Sequence, residues 1–575
     1  MPWPSPRLLV EKSARQNDCG HPQHLSMRAR RQELQHSRWW CAAGHGGMLR
    51  VGGTAHGGDG GVSHSMTAAS EQWTITKPAL VSRRGVVAAQ HVLAARAGVS
   101  CLSAGGNAVD AAIATALALQ CVEPWMSGLT ASGYLLVAGP QLPGVTAVEF
   151  SGVAPLALTP DDYPIDPSVP PTFLGFPGVT GNRLVVGWQA VAVPGAVAGL
   201  AAAHERWGRL AWPELVAPAI ALADGGMAVD WHATLAIAMA MPDLARDTAA
   251  AAWLLPGGAP PEPGRRLPLP TLARTLRRLA EDGPADFYEG RLAADWIADA
   301  RAGGSCLSLD DLATYRPRIV EATSQTHGGA VLHVVPDVSG GGRLLDAMAL
   351  VDARLPGSSE PSAILDALAD GLDRAFSRHQ RRLAGPREGS TTHISVVDAT
   401  GMMVSLTFTL LNRFGARVVS PSTGLMMNNG LSWFDPRPGR LNSLSPGARA
   451  LTNMCPTIVT RAGRPILAVG ASGGSQIVPA VAQVIALWLQ GGLNLEQAMH
   501  HPRLDATGGG TVRLDPELPE ALKHSLAQRF RTVEVPRTVF PRPFAAPGAV
   551  ARDPAGINSA LADITYPMAG MAEGG

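Results

Sequence analysis

Closely spaced cysteine pairs are missing from this chain. Its six cysteines, Cys19, Cys41, Cys101, Cys121, Cys306 and Cys455, are scattered without a C-x-x-C pair, which indicates neither a zinc ligand set nor a disulfide framework. An excess of charge of either sign is missing too. Its 47 Lys and Arg meet 46 Asp and Glu, for a net charge of +1, so there is no global positive field to attract nucleic acid. No apolar run reaches the roughly 18 residues that span a bilayer. The first 65 residues, rich in Arg, His, Gly and Trp, lack the apolar stretch of a signal peptide. Neither nucleic acid nor membrane is expected as a partner. The cytoplasm is the expected compartment, with the periplasm left open.

The leader holds six of the 16 histidines (His21, His24, His36, His45, His56 and His64) near Cys19 and Cys41, but their irregular spacing does not describe a metal site. Residues 1–66 are expected to be a disordered leader or an over-extended reading frame with Met66 as the start. What remains is long enough, in a 575-residue chain that is 46% hydrophobic, for a large core in one big or two intimately packed domains.

From Val86 to Val122 the chain reads as an Ala-rich helical region broken at Gly105-Gly106-Asn107, and the part after the break is apolar on nearly every side, as a buried helix is. Tyr134–Ala138 and Val145–Phe150 read as strands. Gly195 to about Tyr315 is mostly helical, with breaks around Pro256–Pro270. An amphipathic helix runs through Ile364, Leu368, Leu372 and Phe376 and is followed by an exposed basic stretch, Arg378 to Arg387. After Thr391 come short β runs, at Thr392–Val397, Val404–Leu410, Val418–Val419, Gly424–Met427, Thr457–Val459 and Ile466–Val469, closed by a buried helix from Gln476 to Leu489. Helices first and strands later suggest a layered α+β arrangement, not a doubly wound parallel sheet.

Thr391-Thr392-His393 at the head of the first of these runs carries the most chemistry. A mid-chain threonine has no base beside its hydroxyl. A cut just before Thr391 would give it an α-amine with a pKa of about 7.7–8.0, able to activate its own hydroxyl. Gly389-Ser390 would supply a flexible, exposed junction for that cut. Gly473 and Gly474, between a strand and a helix, could turn backbone N–H groups toward an oxyanion. Thr407 and Thr409 alternate along a strand and share a face. A rival reading takes Gly470-Ala471-Ser472-Gly473-Gly474 as the nucleophile elbow of a serine hydrolase, with Asp505 or Asp515 and His524 as partners.

Several further motifs, in order, resemble those of the γ-glutamyltransferase family. They include Gly105-Gly106-Asn107-Ala108-Val109-Asp110-Ala111-Ala112, Val122-Glu123-Pro124 with Ser127-Gly128, Ala192-Val193-Pro194-Gly195-Ala196, and Phe287-Tyr288 with Gly290. The strongest are Thr391-Thr392-His393, Met426-Met427-Asn428-Asn429, Met454-Cys455-Pro456-Thr457-Ile458 and Ser472-Gly473-Gly474-Ser475. The resemblance runs from about Arg83 to Arg503. It implies a four-layer αββα N-terminal-nucleophile hydrolase made as a proenzyme and cut between Ser390 and Thr391. It would have a large α-rich part, residues 67–390, and a small β-rich catalytic part, residues 391–575, which stay together as a heterodimer. It implies Thr391 as nucleophile, Thr409 as its support, and Gly473 and Gly474 as the oxyanion-hole pair. The substrate would be a small-molecule amide and the acyl acceptor water or an amine. No cofactor or metal is required.

The substrate pocket departs from the family. The arginine that holds a glutamyl α-carboxylate is here Ser151. The acidic partner of the α-amine, two or three residues after the family's Asn-Asn-Gln, falls here in the run Asn428-Asn429-Gly430-Leu431-Ser432-Trp433. An asparagine after Thr-Leu is Leu411, with Asn412 one place on, and the paired serines are Thr452 and Asn453. Loss of a bidentate arginine removes several kcal/mol of binding, so a non-glutamyl acyl group is expected, with Trp433 as an aromatic wall. The run Trp433-Phe434-Asp435-Pro436 resembles the family's cephalosporin-acylase-like branch. The alternatives are a γ-glutamyltransferase or glutathione hydrolase whose pocket is rebuilt from Arg413 or Arg417, and a non-catalytic relative used for binding.

Overall fold

The computed structural model describes residues 75–357, 359–380, 390–507 and 509–575, all of them within one compact unit, Ala68–Gly575. The leader, its histidines and cysteines, most of the basic stretch and Gly389 lie outside the described residues.

Two seven-stranded sheets dominate. In one, the order is Gly570–Gly574, Gly85–Ala89, Ser390–Val397, Met403–Leu411, Ser132–Ala138, Thr146–Phe150 and Arg318–Glu321. In the other it is Leu80–Ser82, Asn558–Ala562, Ala546–Arg552, Arg464–Ser472, Thr457–Arg461, Ala330–Val334 and Thr323–His327. The Ser390–Val397 strand packs face to face against Arg464–Ser472 and Ala546–Arg552, so the sheets are stacked. Val92–Ser103 and Ala108–Val122 cover the outer face of the first sheet. Gly341–Arg354 and Ile477–Leu489 cover that of the second. The order is helices, sheet, sheet, helices. Each sheet mixes strands from before and after residue 390, so a chain parted there remains interlocked through its ladders.

The Gly-Gly-Asn motif has a local cause. Asn107 Oδ1 accepts from the N–H of Val109 (2.9 Å) and Asp110 (3.2 Å), and Asp110 Oδ2 accepts from the N–H of Asn107 (2.8 Å), closing a capping box. Every residue of the following helix, Ala108–Val122, is buried, as its all-round apolar sequence implies.

One helical expectation is corrected here: residues 86–89 belong to the buried strand Gly85–Ala89, and the helix begins only at Val92. Small residues in a row serve a strand covered on both faces as well as they serve a buried helix. The runs at Val418–Val419 and Gly424–Met427 also fall short of strands, sharing a single bridge, Val419 to Met426.

Candidate active site

Ser390–Val397 lies antiparallel between Gly85–Ala89 and Met403–Leu411. Ser390 pairs with Leu411 but Thr392 with Phe408, so Thr391 alone faces Thr409 and Leu410. This is a β-bulge, a device that re-aims a side chain locally. The junction is not exposed as the sequence suggested: Ser390 and Thr391 are each only 4% exposed, because both lie inside the ladder.

Strand alternation sends Thr392 toward the helices and Thr391 and His393 toward the second sheet. The Thr392 hydroxyl donates to Glu123 Oε2 (3.2 Å), at the end of Ala108–Val122, and the Tyr566 hydroxyl donates to Glu123 Oε1. Trp125 Nε1 donates to Tyr566 Oη (3.3 Å). Burial pushes the Glu123 carboxyl up to about 8, against the two hydrogen bonds that favour its anion. His393 is wedged between the sheets, with Nδ1 2.8 Å from Thr407 Oγ1 and Nε2 2.8 Å from Ser395 Oγ. Burial holds it down at about 3, so it is a neutral structural imidazole. Gly470 makes room for it, since a Cβ there would lie 2.4 Å from the ring.

Thr407 and Thr409 do share a face, with separate duties. Thr407 meets His393, while the Thr409 hydroxyl donates to the carbonyl oxygen of Ser390 and accepts from the N–H of Leu411 (2.8 Å). That carbonyl belongs to the peptide bond preceding Thr391.

The Arg464–Ser472 strand ends at Gly473 (φ 145°) and Gly474 (φ 60°), and the helix Ile477–Leu489 follows. Such positive φ angles are open mainly to glycine, and a Cβ on Gly473 would lie 2.7 Å from Ala545. Gly473 and Ser390 line one cavity of about 260 Å³ together with Asn412, Arg413, Arg417, Gln476 and Arg542, and its apolar wall includes Phe173, Met239 and Phe544.

Asn412 is thus in the cavity, where its Oδ1 makes no hydrogen bond. Ser151, Trp433, Thr452 and Asn453 lie outside its lining. The Ser151 hydroxyl donates to Glu149, which also pairs with Arg318 and Arg449. The Thr452 hydroxyl donates to Tyr134 Oη (3.2 Å), and Asn453 Oδ1 accepts from Arg343 (2.6 Å). Trp433 is 3% exposed in an apolar cluster with Leu431 and Phe434, so it packs the core where an aromatic pocket wall was expected. The serine-elbow alternative also fails on geometry: Ser472 Oγ is buried without a hydrogen-bond partner, while His524 is exposed and meets Gln528.

Among the described residues no group of three or more His, Cys, Asp or Glu is placed to hold a metal ion, and no helix is long and apolar enough to cross a membrane. Sequence reasoning gave no role to Arg542, Gln476, Glu123 or Tyr566. Glu123 sat inside a quoted motif, but its partner Tyr566 is 443 positions away.

Residues 94–387 and 362–571 match the family profile described as Gamma-glutamyltranspeptidase. The chain belongs to the γ-glutamyltranspeptidase family. It is 32% identical to the acylase ACY 1 proenzyme of Pseudomonas sp. (strain V22) over 511 residues, 81% of this chain and 90% of that protein. It is 31% identical over 509 residues to the glutathione hydrolase proenzyme of Pseudomonas sp. (strain A14), covering 77% and 86%. The crystal structure of cephalosporin acylase from Bacillus halodurans superposes with a TM-score of 0.75 at 26% identity, over 88% of this chain and 99% of that one. As a γ-glutamyltranspeptidase-family member the protein has the N-terminal-nucleophile hydrolase fold and is an enzyme of the hydrolase class.

Proposed function

We propose that the protein is an autoprocessing amidohydrolase or acyltransferase whose nucleophile is Thr391. The observation that carries this reading is the Thr409 hydroxyl bonded to the Ser390 carbonyl at the bulge. In the uncut chain, Thr391 Oγ1 adds to the Ser390 carbonyl carbon as it gives up its proton, and the Thr409 hydroxyl donates to the oxyanion that forms on the Ser390 oxygen. The C–N bond breaks as the nitrogen takes a proton, leaving an ester on Thr391 Oγ1. Water hydrolyses that ester, giving a carboxylate at Ser390 and a free α-amine on Thr391.

In the processed enzyme the same amine takes the hydroxyl proton while Oγ1 attacks a substrate amide. The amine product leaves with that proton, and water or an acceptor amine resolves the acyl-enzyme. Gly473 and Gly474 stabilise the oxyanion through their N–H groups, Thr409 orients Thr391, and Asn412 contacts the bound acyl group. The parts before and after the cut, residues 67–390 and 391–575, remain as a heterodimer.

The acyl group is not γ-glutamyl. Ser151 stands where the family has its carboxylate-binding arginine, and Trp433, in the core, stands near the position of its ammonium-binding acid. A second reading, a γ-glutamyltransferase with a rebuilt pocket, is favoured by Arg413 and Arg417 in the cavity lining. It requires glutamate release from a γ-glutamyl anilide, abolished in Thr391→Ala.

Denaturing intact-mass measurement tests the central claim. The 59.8 kDa chain should yield fragments of about 41 and about 19 kDa for the full-length start, and Thr391→Ala should stay whole. A wild-type chain that never parts would move the protein to the non-catalytic reading.

A further inference from the structure

We infer that Glu123 and Tyr566 form a proton-linked clamp behind the nucleophile strand, and that the clamp positions Thr391 and Thr409 for cutting when Glu123 is neutral. Both are positioning residues, acting through Thr392 and the strand and not on the reacting atoms. The clamp serves the Thr391 chemistry proposed above, and so rests on that reading.

The bulge creates the need for such a clamp. Where Thr391 alone faces Thr409 and Leu410, pairing is interrupted, and a buried N–H has to find its acceptor elsewhere. The Leu410 N–H donates to the carbonyl oxygen of Met126 (3.0 Å), and the Phe414 N–H to that of Trp125 (3.1 Å). Both acceptors belong to the loop that ends the buried helix Ala108–Val122. The same loop reaches the other strand through Glu123, whose Oε2 lies 3.2 Å from Thr392 Oγ1. Residues 123–126 thus grip both strands of the bulge. The Thr409 hydroxyl spans the same two strands, bonded to the Ser390 carbonyl and the Leu411 N–H.

The grip depends on a proton. Tyr566 donates to Glu123 Oε1 and accepts from Trp125 Nε1 (3.3 Å), which fixes that side of the carboxyl. The bond between Oε2 and Thr392 can run either way, because an ionised carboxyl only accepts and a neutral one also donates. Glu123 is 1% exposed and directly follows the C-terminus of its helix, the negative end of the dipole. A charge there is therefore costly, and burial favours the neutral form.

The charged neighbours pull in different directions. Arg542, laid over the Tyr566 ring at 4.6 Å, attracts a Glu123 anion, while Asp230, at the cap of the helix Trp231–Leu244, repels it. His232 meets the Tyr566 and Trp125 rings at 5.1 and 5.7 Å and, held down at about 3 by burial, stays neutral. An ionised Glu123 is drawn toward Arg542, and that movement loosens its hold on Thr392, one residue from the nucleophile.

Rates of cutting test this, because the uncut chain has no Thr391 α-amine to titrate in the same range. Full-length chain from cell-free translation is shifted to buffers between pH 6.5 and 9.5, and the roughly 19 kDa fragment is followed with time. Dividing wild-type rates by those of Glu123→Gln, which is neutral throughout, cancels every pH effect the two share. The ratio should fall by about tenfold or more, the scale on which sub-ångström misplacement slows a reaction, through a midpoint near 8. Tyr566→Phe keeps the ring but removes a bond that favours the anion, so its fall should come at higher pH. Thr392→Val, which severs the link to the strand, should cut about tenfold more slowly than wild type at pH 7 and show no fall. A merely structural Glu123 would leave the ratio flat. A flat ratio, or a fall that Tyr566→Phe does not move, overturns the inference while the cut itself upholds the Thr391 reading. If Glu123→Gln does not fold, wild-type rates divided by those of Tyr566→Phe should show the fall between the two midpoints, and their constancy overturns the inference. A wild-type chain that never parts overturns both readings.

Discussion

The hydroxyl of Thr409 donates to the carbonyl of Ser390 while accepting from the N–H of Leu411 at 2.8 Å. The second bond fixes the rotor, so the hydroxyl proton points at the carbonyl. This arrangement places a polarising donor on one peptide bond of the chain, the one before a threonine.

Thr409→Val should therefore slow processing by about a hundredfold, the scale of losing one oxyanion donor, while Thr409→Ser retains most of it. The appearance of the roughly 19 kDa fragment against time is the readout. Equal rates in the valine variant would remove Thr409 from the mechanism.

Gly473→Ala should keep the fold and lose turnover. Its φ of 145° and the 2.7 Å approach to Ala545 force the turn to shift, and a displaced N–H no longer meets the oxyanion. A fall of about a hundredfold or more in kcat is expected, seen on chain that has already been cut, with far-ultraviolet dichroism as the control.

Stability should peak near pH 6.5 as far as four buried groups determine it. Glu123 is held at about 8, above its ordinary 4.5. Between those values the unfolded chain has lost a proton that the folded one keeps, so stability falls as pH rises. His91, held at about 4, and His232 and His393, held at about 3, act oppositely. Below 6.5 the unfolded chain binds protons that the folded one refuses, so stability falls as pH drops. Each group contributes a slope of about 1.4 kcal/mol per pH unit. Urea midpoints at pH 5, 6.5 and 8 read both limbs, and Glu123→Gln should flatten the alkaline limb and steepen the acid one, where the Glu123 term opposes the histidines.

Gly470→Ala should cost about 1–3 kcal/mol, as overpacking does. Its methyl group would press on the His393 ring, which the hydroxyls of Thr407 and Ser395 hold from either side. Chemical denaturation would measure this loss; an unchanged midpoint would mean that the sheets can part at this point without penalty.

Local patterns carried much of the architecture. The helix break at Gly105-Gly106-Asn107, the buried helix behind it, the strand headed by Thr391 and the glycine turn at Gly473 each depend on neighbours a few positions away, and so were legible in the chain. Residues 86–89 were not, because small apolar residues suit a buried strand and a buried helix alike. Trp433 was misjudged for a related reason: an aromatic beside a pocket motif reads as pocket until packing shows it in the core.

The order of residues by itself marked Thr391 as the threonine proposed to become an N-terminus, put glycines at a strand end where they can turn, and set Ser151 at a position to which the family resemblance gives an arginine. Those are properties of side-chain chemistry and short spacing. Only the tertiary structure decided that Thr409 meets Ser390 across a bulge, that Glu123 meets Tyr566, and that Arg417 and Arg542 converge on one cavity. Ladder register and sheet stacking bring such groups together, and neither a bulge 19 positions away nor a partner more than a hundred positions away leaves a local signal of that meeting.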